Sequence, residues 1–171
     1  MQTTAPRRRS RAFDSLEQQA FLNLWRTYDR LRVHEEALFA QHDLTPQQYN
    51  ALRLLRGVQS GTLPTLALAE RLVSRAPDIT RLLDRLEERG LITRERLRAN
   101  RRVVEVGITT AGLRLLKQLD QPVRECHRRQ LGHLGATELR KLIRLLETAR
   151  QPHEDPAGGW SVRRTGEDSS L

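Results

Sequence analysis

Apolar residues recur at helical spacing along most of the chain. Over 13–41, Phe21, Leu24, Tyr28, Leu31 and Leu38 stand three, four or seven apart, the stripe of an amphipathic helix. Asp14 and Glu17 lie near the positive end of its macrodipole, and Trp25 sits beside the stripe. The next start signal is complete. Thr45 caps, Pro46 takes the first helical position, Gln48 closes a capping box, and Leu44 and Tyr49 are placed as a hydrophobic staple. Leu52 and Leu55 continue that face and Gly57 offers a stop. GTLPT at 61–65 reads as a loop, followed by a short helix over 65–73 with Leu68, Ala69 and Leu72 inward. After a tight connection at 74–76, Pro77 opens a helix to Arg89 whose buried face holds Ile79, Leu82, Leu83 and Leu86. Gly90 ends it as a left-handed cap.

The hydrophobic period then changes from 3.6 to 2. LITRERL (91–97) and RVVEVGIT (102–109) alternate roughly around the basic RAN at 98–100, which predicts a two-stranded hairpin. A lone ribbon is unstable in water, so it must pack beside the preceding helices. Thr109 caps a further helix with Leu113, Leu116, Leu119, Val123 and Cys126 on one side, kinked at Pro122. A last helix over 136–150 uses Leu139, Leu142, Ile143, Leu146 and Ala149. Residues 151–171, rich in Gly, Ser and charge, read as a disordered tail, and 1–12 as a disordered basic arm.

Length and composition narrow the possibilities. The chain has 171 residues, about one domain, and is 37% hydrophobic. No apolar run approaches the roughly 20 residues that span a bilayer, and no apolar segment follows the first arginines. A single cysteine makes neither an internal disulfide nor a zinc site. The expected location is the cytoplasm. Thirty basic and 21 acidic residues give a net charge of +9, and the surplus is local. Residues 1–12 carry Arg7, Arg8, Arg9 and Arg11 without an acid, and 93–102 carry five arginines against Glu95. Two basic patches suit a polyanion, because phosphate contacts supply most non-specific nucleic-acid affinity. Charge alone is satisfied equally by a solvated arm and a basic loop.

Order along the chain adds what charge cannot. A short helix, a tight turn and a helix with exposed Thr and Arg make a helix-turn-helix, and the hairpin behind it makes a winged helix. The second helix fits the roughly 12 Å major groove. The hairpin tip then carries Arg98, Arg101 and Arg102 to phosphates or into the minor groove. The fold class is therefore mainly α with a small β-hairpin wing: a winged helix-turn-helix plus helical segments at both ends. No Gly-rich phosphate loop and no nucleophile–base spacing is present, so no catalytic residue, and no enzyme, is expected. The five histidines, His34, His42, His127, His133 and His153, lack ligand spacing, and neither a metal nor a cofactor is expected.

The segments LTPQQYNALRLL (44–55), LAERL (68–72), APDITRLLDRLEERGLITRER (76–96), NRRVVEVGITTAGLRLL (100–116) and ELRKLIRLLE (138–147) resemble the MarR family of bacterial transcriptional regulators. The resemblance covers 13–150. It implies dimerisation helices at 13–41 and 110–150 around a winged helix-turn-helix at 45–109. The partners it implies are a second copy of the chain, a palindromic double-stranded DNA operator and a small aromatic or anionic effector. The activity implied is that of a homodimeric repressor relieved by that ligand. Helices at both ends whose stripes one winged helix cannot cover agree with an isologous dimer. By place in the motif, Arg75, Asp78, Thr80, Arg81 and Arg85 face bases or nearby phosphates, and Arg101 matches the wing arginine of the minor groove. Trp25, Tyr28 and His34 are either core and dimer contacts or the lining of an effector pocket. Family wings usually read Asp-x-x-Asp-Arg-Arg, whereas Leu97 and Asn100 stand at the acidic positions here. The expected consequence is a freer wing and more salt-sensitive binding. Asp84 and Arg85 serve either DNA or an ion pair holding wing to helix. Cys126 is read as an inert thiol on an apolar face, with an oxidation sensor as the alternative. The rival functions are a winged-helix module for protein or RNA and a non-specific architectural DNA binder.

Overall fold

The computed structural model describes residues 13–73, 78–97 and 100–154, with backbone alone at 97 and 100–102. The arm at 1–12, Arg75, Pro77, Arg98 and the tail from 155 lie outside the described residues. In chain order the elements are α1 (Leu16–Ala40), α2 (Pro46–Arg56), β1 (Thr62–Pro64), α3 (Thr65–Arg71), α4 (Ile79–Glu88), β2 (Ile92–Leu97), β3 (Asn100–Ile108), α5 (Thr110–Leu131) and α6 (Ala136–Arg150). The helices expected from the periodicity are present. α5 runs unbroken through Pro122, whose missing N–H leaves one intrahelical bond unmade. A short 3-10 turn, Gln151–His153, continues the chain past α6 where a disordered tail was expected.

One segment overturns its sequence reading. GTLPT is not a loop: Thr62–Pro64 forms an edge strand, and the sheet order is β1-β3-β2, all antiparallel. The wing is thus the free end of a three-stranded sheet rather than an isolated hairpin. A three-residue strand is too short to show a period of 2, and Gly and Pro around it carry loop signals. Pro64 is tolerated because an edge strand has a side that makes no ladder bonds.

Capping explains where the helices start and stop. At α2 both halves of the capping box form: Gln48 N donates to Thr45 Oγ1 at 3.2 Å, and Thr45 N donates to Gln48 Oε1 at 2.9 Å. The end of α4 is a Schellman motif. Gly90 sits at φ +66°, Leu91 N donates to Leu86 O at 3.0 Å and Gly90 N to Glu87 O at 2.8 Å. The end of α1 repeats this geometry with a non-glycine residue, Asp43, at φ 51°. There Leu44 N donates to Phe39 O at 3.0 Å and Asp43 N to Ala40 O at 3.2 Å. In both motifs the accompanying apolar pair, Leu86 with Leu91 and Phe39 with Leu44, is buried.

The core lies mainly within the winged helix and continues along α5 to Val123 and Cys126, with Leu38 and Phe39 added from the end of α1. Leu52 and Leu55 from α2, Leu68 from α3, Leu83 and Leu86 from α4, Ile92 and Val106 from the sheet, and Leu116 and Leu119 from α5 are essentially inaccessible. Each such side chain contributes about 1.5–3 kcal/mol by its burial. The end helices contribute far less. Only Leu38 and Phe39 of α1 are buried, and α6 buries no residue. Leu113, expected inward, is 42% exposed.

The start of α5 is packed against the turn after α4. Thr109 Oγ1 accepts from Gly112 N at 3.1 Å and donates to Gly90 O at 2.7 Å. A Cβ on Gly112 would lie 2.4 Å from the Leu91 carbonyl oxygen, closer than any real contact. Gly112→Ala is therefore expected to destabilise the fold by about 1–3 kcal/mol. Urea unfolding should show a lower midpoint with an unchanged slope.

Candidate nucleic-acid interface

Helix α4 is an exposed rod on one side and a core helix on the other. Leu83 and Leu86 are buried, Ile79 and Leu82 pack partly against them, and Thr80, Arg81 and Arg85 are exposed. Its start is set by Asp78, whose Oδ1 accepts from Arg81 N at 2.9 Å. The sequence offered Asp78 as a base- or phosphate-facing residue; the structure gives its carboxylate the N-cap of α4. Arg81 and Arg85 make no ion pair among the described residues. Two unneutralised guanidiniums one turn apart beside a hydroxyl suit a polyanion that carries hydrogen-bonding groups.

Arg81 and Arg85 also border a cleft of about 290 Å³ with Asp78, Leu82, Thr45, Gln47 and Gln48. Sequence reasoning did not connect Thr45 and Gln47 to this face. Their only signal was the helix start, and the fold alone brings the first turn of α2 beside α4.

The wing side is less basic than its count of arginines. Arg94 does not face outward: its Nε donates to Glu87 Oε2 at 2.8 Å and its Nη2 to Asp84 Oδ1 at 2.6 Å. These bonds tie β2 to α4, so of the two roles open to Asp84 the structure realises the structural one. The hydrogen bond to Glu87, opposed by partial burial and aided by Asp84, raises the Arg94 pKa and keeps the guanidinium charged. Arg94 therefore adds nothing to the attraction of a polyanion. On the other face of the wing Glu95 stands opposite Glu105, a like-charge pair that repels phosphate. Among the described side chains, the basic character of the wing rests on exposed Arg96. Arg101 and Arg102 follow Asn100 at the start of β3, with side chains outside the described residues, as are Arg98 and Arg75.

Residues weighed for a ligand pocket separate. Trp25 and Tyr28 are 62% and 65% exposed on α1. Trp25 lines an open depression of about 590 Å³ with Phe13, Leu22, Asn23, Arg26 and Asp29. Tyr28 shares an apolar one of about 380 Å³ with Phe21, Leu24 and Trp25. His34, exposed on α1, lines neither of these two depressions. Cys126 is fully buried on α5. Desolvation, reinforced by Glu35 and partly offset by Arg129, pushes its pKa up, which suits an inert thiol.

Losing the Arg94 contacts should loosen the wing. Arg94→Met, which keeps the aliphatic stem, is expected to cost about 1 kcal/mol at low salt. The loss should shrink as screening rises toward about 1 M salt, where the Debye length is roughly 3 Å. Denaturant titrations at the two ionic strengths measure both; a salt-independent loss would assign Arg94 to packing instead.

Comparison with known proteins agrees with this geometry. The MarR family model matches residues 44–104, from the cap of α2 through most of the wing. A MarR transcription factor from Planctomyces limnophilus of known structure is 60% identical, with 80% of this chain and 98% of that one covered and a TM-score of 0.63. The HTH-type transcriptional repressor IacR of Pseudomonas putida is 25% identical over 138 residues, 80% of this chain and 81% of that protein. BpsR of Bordetella bronchiseptica, whose DNA binding is regulated by 6-hydroxynicotinic acid, shares the fold at 21% identity, with 84% of this chain and 100% of that one covered and a TM-score of 0.72.

Proposed function

The chain belongs to the MarR family of transcription regulators, and from that premise we propose that it binds a palindromic DNA operator as a homodimer and represses transcription until a small ligand relieves it. The observation that carries this reading is the exposed face of α4, where Thr80, Arg81 and Arg85 stand in solvent and the two arginines make no ion pair among the described residues. In this reading Thr80 reads bases, Arg81 and Arg85 serve bases or adjacent phosphates, and Arg75, Arg98, Arg101 and Arg102 hold the backbone or enter the minor groove. Asp78 acts through the cap that orients the first turn of α4.

Dimerisation follows from what the protomer leaves uncovered. Phe21, Leu24, Trp25 and Tyr28 of α1 and Ile143 and Leu145 of α6 are all at least half exposed. Covering an aromatic side chain of this kind contributes about 2–4 kcal/mol by area, and an isologous pairing covers each twice. Two copies then present two α4 helices to half-sites about one DNA turn apart. Repression is supported by the kinship with IacR, and ligand relief by the fold shared with BpsR. The aromatic depressions on α1 suit a small planar acid, with Arg26 at the rim for its charge. Among the described residues no helix is long and apolar enough to cross a membrane, and a regulator of chromosomal DNA works in the cytoplasm. The domain division proposed is 13–150 as the folded regulator, with 1–12 as a basic arm and 151–171 as a tail.

Sedimentation should give a dimer, and selection from genomic fragments should enrich one palindrome. A monomer, or binding indifferent to sequence, overturns the reading. With the selected duplex, Arg101→Ala should weaken specific and random DNA alike and lower the salt slope by about one. Thr80→Ala should instead change which bases are preferred. Identical behaviour of the two variants would refute the division between positioning and readout.

A further inference from the structure

Arg89 has no place in the site described so far. It is the exposed residue at the end of α4, and its side chain reaches the corner between α1 and α2. Its guanidinium donates from Nη2 to His42 O at 3.0 Å and from Nη1 to Asp43 O. These carbonyls belong to the corner between α1 and α2, 46 and 47 residues earlier in the chain. His42 and Asp43 are the two residues of the Schellman turn that ends α1, and Asp43 is the residue in the left-handed conformation. The C-terminal ends of α1 and α4 thus meet at one cation. Both ends carry partial negative charge from unpaired carbonyls, so a guanidinium between them is favourable to each. The planar fork holds two consecutive carbonyls at once, which fixes a direction as well as a distance.

The location of this clamp gives it leverage. Leu83 and Leu86 set α4 in the core, whereas α1 buries only Leu38 and Phe39 at its C-terminal end. Farther along, α1 is tied to α5 by Gln130 Nε2 donating to Leu31 O at 2.8 Å and by His127 beside Glu35 at 3.1 Å. Neither of these bonds touches α4. The bond from Arg89 joins the helix that reads DNA to the helix whose apolar face meets the second copy. A small rotation at this corner is carried along the 25 residues of α1, about 37 Å at 1.5 Å per residue.

We propose that Arg89 is a positioning residue that holds α4 at a set angle to α1 and thereby fixes the half-site spacing the dimer accepts. The inference rests on the dimeric operator reading above. Arg89 touches no base or phosphate in this assignment. It acts through the 41–43 corner, narrowing the range of separations between the two copies of α4.

The test uses the duplex selected by the full-length wild-type protein, resynthesised with its half-sites one and two base pairs closer and farther apart. Wild type should prefer its own spacing by about tenfold or more. Arg89→Met keeps the stem and removes the fork. It should fold with a melting temperature within a few degrees of wild type, keep its preference for the same half-site bases, and show less than about threefold preference among spacings. Arg89→Lys keeps the cation without the fork and should fall between. A wild-type spacing profile in Arg89→Met overturns the inference alone. So does an equal loss on all spacings and on an isolated half-site, which marks a general structural role. Wild type with no preferred spacing overturns the dimeric reading and the inference with it.

Discussion

Helix α4 must do two incompatible things, bury an apolar face and keep a polar face free, and most of the winged helix follows from that demand. Leu83 and Leu86 belong to the core cluster that α2, α3, the sheet and α5 also supply, and α4 lies against α2 and β2, so the rotation of α4 about its own axis is set by packing. Its two ends are then set by polar contacts: the Asp78 carboxylate at the start, and the Gly90 turn with its bond to Thr109 at the finish. With axis, rotation and ends held, Thr80, Arg81 and Arg85 have one direction in which to point. Preorganisation of this kind lowers the ordering cost of binding.

Charge in this protein is distributed by pairing as well as by composition. Twenty-eight of the 30 basic residues are arginine, yet they perform three different tasks. Arg94 and Arg56 are joined to carboxylates across elements, through Asp84 and Glu87 for the first and Asp120 for the second. Arg89 is joined to carbonyls. Arg81 and Arg85, like Arg96 on the wing, make no ion pair among the described residues and add to the field felt by a polyanion. A count of arginines taken from the sequence overstates that field, because a guanidinium held against a carboxylate is cancelled at distances beyond the pair.

The same uneven distribution applies to apolar surface. The winged helix completes its core within one chain, whereas α1 and α6 keep Phe21, Trp25, Tyr28, Ile143 and Leu145 in solvent. On α1, Phe21, Leu24, Trp25 and Tyr28 share one open apolar depression, the kind of surface that association covers. Both helices lie toward the chain ends in sequence, outside the segment that supplies the three-stranded sheet and α4.

The helices, their caps and the change to strand period were legible in the chain because each depends on residues within a few positions. The capping box at Thr45 and Gln48, the left-handed Gly90 and the stripe of α4 are local physics, and order along the chain was enough to identify the fold class. β1 was not legible, since three residues next to Gly and Pro become a strand only when β3, some 40 residues later, supplies the ladder bonds. Nor were the tasks of individual arginines. Arg81, Arg89 and Arg94 are chemically the same residue, spaced along one stretch of sequence, and what separates them is which carboxylates, carbonyls or open solvent the packed elements place within about 3 Å of each guanidinium. The pattern along the chain determined which elements form; the partners met across the fold decided what each charged side chain does.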